Sequence, residues 1–461
     1  MQSRRTFIAM AATTTCATVA TAMLTACAIA PAPDAPPTLA ERPPIVFVHG
    51  NGDSAALWQT TIWRFESNGW PAERLFAFDQ PNPLARDDDA VAQPGRSSTG
   101  ESAAFLKANV EQVLKATGAS KVVLIGNSRG GNTIRNYVQN GGGAAVVSQV
   151  ALGGNPAHGI WAVKGFRENN EFSGLSGFMQ QLNAPKGPNG DEVTPGVKWL
   201  TLRSDNNDKY AQPDGVWIGA PGKPTNIGFD GPALKGATNV VLPRVDHRET
   251  SFSPAAFAAT WQFLTGQAPR TTSFVSQGSP VLDGRAIGAE NQSLTGATVT
   301  VYAVDPATGA RLGEAVHSKV VGADGRWGPF NAYNITTSYE FVLAAPGFGT
   351  THIYRSPFPR SGNFVHLKPE RIVAADNGAS SVVVFTRPRG YFDAQRDTMR
   401  FDGKSPPPGV PPQGAGVATS RLRLEGGGGP RAVTGEFNRE RVTGLTWPAA
   451  SEHTTVLELT Y

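Results

Sequence analysis

The chain has 461 residues, 40% of them hydrophobic, enough for more than one buried core. Lysine and arginine number 41 against 37 aspartates and glutamates, and no long basic run occurs, so a nucleic-acid-binding surface is not indicated. The only cysteines, Cys16 and Cys27, both lie near the N-terminus, so a disulfide framework is not expected.

Ser3-Arg4-Arg5-Thr6-Phe7-Ile8 resembles a twin-arginine export signal. The Ala/Thr-rich segment that follows is too weakly apolar for a bilayer span and ends in Leu24-Thr25-Ala26-Cys27. That ending resembles the bacterial lipobox; the alternative is an ordinary signal peptide with a chance cysteine. The lipobox resemblance implies an acylated Cys27 and membrane association through that lipid. With Ala28 next, it implies a bacterial outer-membrane or periplasmic location. Residues 1–27 are then a signal segment and 28–43 a Pro/Ala-rich tether.

From 44 to 268 short apolar runs alternate with amphipathic stretches. The runs "PIVFVHG", "LFAFDQ", "KVVLIG", "VSQVALGG", "VKWLTLRS" and "NVVLPRV" read as strands. "ESAAFLKANVEQVLKATG" and "SPAAFAATWQFLTG" read as helices stopped by glycine. This order predicts an α/β domain, a mostly parallel sheet with helices on both faces. Beyond 269 the helical period fades. "ATVTVYAVD", "YEFVLAAPG", "FVHLKP" and "SVVVFTRP" predict an all-β C-terminal region, with two small subdomains (about 269–370 and 371–461) as one division of it.

Gly126-Asn127-Ser128-Arg129-Gly130 follows a strand and precedes a helix. A Gly-x-Ser-x-Gly pentapeptide in that context is a sharp turn that lifts a serine hydroxyl above the sheet edge, at the positive end of a helix. A phosphate-binding turn is the competing reading, but no lysine stands in the P-loop position. Upstream, His49-Gly50-Asn51 ends the first strand. The backbone N–H groups of Asn51 and Arg129 are the candidate oxyanion donors, with His49 bracing the loop. His247, after the last strand, is the candidate base, and His158 in "NPAHG" is its rival. The acid is sought in "RSDNNDKYAQP", where Asp208, followed by Tyr210 and Pro213, fits a strand–turn–acid pattern better than Asp205. Asp246, adjacent to His247, is a poor orienting group for its own neighbour. Asp87, Asp88 and Asp89 form an acidic run that reads as a solvated cap loop, with a metal site as the alternative.

The order Ser128, Asp208, His247, with the His49–Asn51 turn and "NPAHG", resembles the α/β-hydrolase superfamily, and serine lipases and esterases within it. The β-region "GATVTVYAVDPATGARLGEAV" resembles that of two-domain archaeal lipases with a C-terminal β-domain. The strand after the nucleophile's helix, from which those relatives can take their acid, here reads "ALGGNPAHG" and offers none. The resemblance implies an α/β-hydrolase fold and a carboxylic-ester hydrolase acting on acyl esters or lipids through an acyl-enzyme. No metal or organic cofactor is implied. Two alternatives stand beside it: a polyester depolymerase with the same triad and the β-region as polymer-binding surface, and a catalytically inactive cell-surface binding protein. Because all three triad candidates precede 269, a chain cut there is expected to keep short-ester hydrolysis.

Overall fold

The protein is described by a computed structural model over residues 42–426 and 429–461. The signal, Cys27 and nearly all of the tether lie outside the described residues. The described residues form one compact unit. Among the described residues no helix is long and apolar enough to cross a membrane.

The six apolar runs form one parallel sheet. Its strands are β1 (Ile45–Val48), β2 (Leu75–Ala77), β3 (Val122–Asn127), β4 (Val147–Gly153), β5 (Lys198–Ser204) and β6 (Thr238–Leu242), in the order β2-β1-β3-β4-β5-β6. Alternate residues of β3 feed two cores. Val123 and Ile125 pack with Phe65, Phe257 and Trp261 on one face, and Val122 and Leu124 with Leu106, Val110 and Ile134 on the other. The covering helices are α1 (Gln59–Ser67), α2 (Thr99–Thr117), α3 (Arg129–Asn140), the short α4 (Gly177–Asn183) and α5 (Glu249–Phe252), and α6 (Pro254–Thr265). Helix α2 begins in a Ser98–Glu101 capping box and ends on a left-handed Gly118; α6 is capped by Ser253 with Pro254 in its first turn and ends on Gly266.

Strand order reverses between β1 and β3. Connections leave these neighbours in opposite directions, so a crevice opens beyond their C-terminal ends. The Gly50-Asn51 turn after β1 and Ser128 after β3 both stand there.

The C-terminal region contains β7 (Thr298–Val304), β8 (His317–Val320), β9 (Ser338–Ala344), β10 (Thr350–Arg355), β11 (Ser381–Thr386), β12 (Met399–Phe401), β13 (Thr419–Leu424), β14 (Ala432–Phe437), β15 (Glu440–Leu445) and β16 (His453–Glu458). Seven strands form a mixed sheet in the order β8-β7-β9-β10-β16-β11-β13, and β12-β14-β15 form a smaller one. The sheet runs across the division expected near 370: β16 lies between β10 and β11, parallel to both. One core therefore spans that position, with Val299, Phe341 and Val384 packed together.

The two regions also share side chains. Trp63 of α1 is buried in the C-terminal core, and its indole N–H donates to the Ser361 carbonyl at 2.7 Å. Arg64 donates to the Thr272 carbonyl at 2.8 Å. Asp79 accepts from His366 at 3.0 Å and pairs with Arg285 at 2.5 Å. A cut near 269 would strip partners from all of these buried groups, which weighs against the expectation that the first region stands alone.

Candidate functional site

Ser128 sits at φ 54°, ψ −125°, in a region that non-glycine residues avoid. Such strain persists only where the surroundings enforce it. Its N–H donates to the Gly153 carbonyl at 2.9 Å and its carbonyl accepts from Asn155 at 3.1 Å. The flanking glycines are sterically required. A Cβ on Gly130 would lie 2.4 Å from the Val48 carbonyl oxygen, and one on Gly126 would lie 2.6 Å from Ile134 Cδ1. The elbow is thus pressed against the end of β1. The space beside Gly50 is tight but less so, with Ser128 Cβ 3.0 Å from where a Gly50 Cβ would stand. Helix α3 starts at Arg129, so its free amide end and positive dipole face the serine.

His49 braces this turn. Its Nδ1 donates to the Gly50 carbonyl at 2.9 Å and its Nε2 accepts from the Gln80 N–H at 3.1 Å. That pairing requires a neutral ring, and burial lowers its pKa accordingly. Asn51 anchors the turn from the other side, its Oδ1 accepting from the Ala85 N–H at 2.7 Å.

His247 follows β6 and is buried. Its Nδ1 donates to both oxygens of Asp208, at 2.8 and 2.9 Å. The carboxylate thereby fixes the tautomer and leaves the lone pair on Nε2, which has no hydrogen-bond partner among the described residues. The Tyr210 ring stands edge-on to the imidazole at 4.6 Å. Asp205 does not reach His247. It accepts from the N–H of Asn206 in its own turn at 2.8 Å and from the N–H of Arg244, in the loop that leads to His247, at 2.9 Å. His158 is engaged elsewhere, bonded to the Gly231 carbonyl at 2.8 Å and Glu192 at 2.9 Å. The Glu192 carboxylate raises its pKa, as suits a charged strap rather than a base.

Ser128, His247, Asn51 and Gly50 line one cleft of about 500 Å³. Ile160, Trp161, Phe166 and Phe172, from the segment after β4, make an apolar wall that packs as its own small cluster. Tyr210 and Trp217 form a second wall, and Asp53, Arg96, Arg167 and Arg248 give a charged rim. Asp87, read as solvated, also reaches the rim, while Asp89 accepts from Thr99 at the start of α2. Among the described residues no group of three or more His, Cys, Asp or Glu is placed to hold a metal ion.

Two features of the site carry no local sequence signal. Arg129 forms a buried two-pronged ion pair with Glu171, at 2.8 and 2.9 Å, and donates to the carbonyls of Pro83 and Ser97. It ties the Glu171 segment, next to Phe172, and the Pro83 and Ser97 loops to the elbow. Tyr391, from the C-terminal region, lines the cleft as well. Asp246, beside His247, turns its carboxylate away to Arg387 at 2.8 Å and the Tyr391 N–H at 2.7 Å. Burial and the neighbouring Glu249 push the Asp246 carboxyl up, against the pull of Arg387 and Arg396.

Residues 42–176 match the family model for lipase (class 2), and residues 279–372 match that for the lipase C-terminal domain. The chain is a lipase/esterase of the α/β-hydrolase superfamily. It is a carboxylic ester hydrolase with a C-terminal domain. Similar solved structures include Bacillus licheniformis lipase BlEst2 in its propeptide form, 16% identical, covering 90% of this chain and 94% of that one at a TM-score of 0.38. The mature form of that lipase is 22% identical over 50% of this chain and 93% of its own, with a TM-score of 0.33. Aspergillus fumigatus lipase B is 14% identical over 51% of this chain and 56% of its own, with a TM-score of 0.35. The assignment rests on the two family matches.

Proposed function

We propose that this hydrolase cleaves acyl esters through an acyl-enzyme on Ser128, with His247 as general base and Asp208 as the group that orients it. The observation that carries the reading is the strained Ser128 elbow sharing a cleft with an imidazole whose far nitrogen is held by a carboxylate and whose near nitrogen is free. His247 Nε2 takes the hydroxyl proton as Ser128 Oγ attacks the ester carbonyl. Asp208 stabilises the imidazolium and keeps Nδ1 protonated. The N–H groups of Asn51 and Arg129 stabilise the developing oxyanion, each worth about 3 kcal/mol of barrier. The imidazolium then protonates the departing alcohol, and water repeats the sequence to release the acid.

The apolar wall from Ile160 to Phe172 suits the acyl chain, and the charged rim suits the more polar alcohol side. We further propose an exported protein anchored by a lipid on Cys27, as its N-terminal sequence implies. Hydrolysis of p-nitrophenyl esters of increasing chain length tests the activity. The wild type should cleave them and Ser128→Ala should fold normally while losing about 10⁴-fold or more in kcat. A Ser128→Ala enzyme of wild-type activity would refute the mechanism.

A further inference from the structure

Tyr391 occupies an unusual junction. It comes from the loop after β11, yet it lines the active cleft and is only 6% exposed. The Lys209 ammonium lies over its ring at 4.1 Å, and the Arg248 guanidinium lies over the same ring at 5.1 Å. Lys209 directly follows Asp208, and Arg248 directly follows His247. The residue next to the acid and the residue next to the base thus meet on one aromatic ring.

The backbone of Tyr391 is held to the same loops. Its N–H donates to Asp246, the residue before His247, at 2.7 Å. Its carbonyl accepts from Arg387 at 2.7 Å, and Arg387 also pairs with Asp246. The two cations are themselves tied to the C-terminal region: Lys209 donates to the Gly416 carbonyl at 3.0 Å and Arg248 to the Pro388 carbonyl at 2.8 Å. Removed from water, a cation is drawn to a ring face more strongly than at an exposed surface. An aromatic side chain is also stiff, so it can fix the separation of two loops joined otherwise at Arg244, whose N–H donates to Asp205 and whose carbonyl accepts from Asn207.

We infer that Tyr391 is a positioning residue for the ester hydrolysis: its ring, gripped by Lys209 and Arg248, sets the alignment of the Asp208 loop with the His247 loop. The C-terminal region then acts on the chemistry through the geometry of the acid–base pair. The inference rests on the triad reading given above. Small errors in that alignment cost rate, because proton transfer from Ser128 needs a correctly aimed Nε2.

The test is steady-state hydrolysis of p-nitrophenyl acetate, whose short acyl group leaves most of the cleft empty, by the full chain and its variants. Tyr391→Leu should lower kcat roughly 10- to 100-fold, with KM little changed. Tyr391→Phe keeps the ring and should restore most of that loss. A general destabilisation would not be rescued at the level of kcat alone, and melting curves run in parallel separate the two. If Tyr391→Leu does not fold, the doubly substituted Lys209→Met, Arg248→Met enzyme removes both cations and leaves the ring, and kcat should fall with KM nearly constant. Wild-type kcat in Tyr391→Leu, or in the double variant, would overturn the inference, as would a Tyr391→Phe enzyme as slow as Tyr391→Leu. Ser128→Ala is assayed beside them: activity there would instead refute the triad reading.

Discussion

The two large sheets meet the cleft in different ways. In the first region every strand runs parallel, so all six C-terminal ends point to one edge, and the reversal of strand order between β1 and β3 opens a crevice there. The nucleophile turn and its neighbouring loops inherit their positions from that sheet. The C-terminal sheet is mixed, with β16 threaded between β10 and β11, and it presents no such edge. It contributes a cleft-lining side chain, Tyr391, from the loop Arg387 to Arg396, whose side chains clasp the His247 loop. A parallel sheet places reacting groups, and an added β-sheet can set how accurately they are held.

The largest effect that could break this contrast lies in the first region. Asp208→Asn should lower kcat by about 10³-fold or more, because the wrong imidazole tautomer would face Ser128. Asp205→Asn should cost far less, since Asp205 does not touch His247 and an asparagine Oδ1 can still accept from the Asn206 and Arg244 N–H groups. Equal damage from both substitutions, measured on one short ester, would show that the Asp208–His247 contact is not the operative one.

Next comes the interface. A chain ending near 268 should be insoluble or molten, without cooperative unfolding, because Trp63, Arg64 and Asp79 lose buried partners. A cooperative, active fragment would mean that the two regions are independent after all. More finely, Arg387→Met leaves Asp246 and Glu249 buried with one fewer cation, at a cost of about 3 kcal/mol. Denaturant unfolding of the full chain measures this.

The smallest effect is a pH dependence. Burial pulls the Asp79 carboxyl up, but the His366 imidazole bonded to it, the Ala55 N–H and Arg285 together hold it well below its ordinary 3.8. A depressed carboxylate contributes stability that is present above that ordinary value and is lost as pH falls toward the folded one. Asp79→Asn should therefore lower the melting temperature near neutrality and flatten the acid limb of the stability profile. An unchanged acid limb would remove Asp79 as a pH-sensitive tie between the regions.

Much of the first region was legible because its signals are local. Parallel strands buried on both faces read as unbroken apolar runs, and each run proved to be a strand of one sheet. Ser128 announced itself through two glycines with steric work to do, and Asp208 through the turn that follows β5. The rest was illegible for a physical reason. Asp246 and Arg387 lie 141 positions apart, and Arg129 and Glu171 lie 42 apart. No periodicity or turn chemistry links such pairs; they meet only once the strands have been ordered. The same holds for β16, whose place between β10 and β11 depends on pairing across about 100 residues and carries one sheet across position 370. Tyr391 carries no local signal that links it to the cleft it lines.

The central claim is that the ester's acyl group passes through Ser128. Rapid acid quenching of the enzyme during turnover of a p-nitrophenyl ester, followed by intact-mass and peptide mass analysis, tests it directly. The account predicts a transient mass gain equal to one acyl group, confined to the peptide that contains Ser128 and absent from Ser128→Ala. Turnover with no acylated species, even in an Asp208→Asn enzyme slowed enough to accumulate one, or acylation of a different residue, would contradict it.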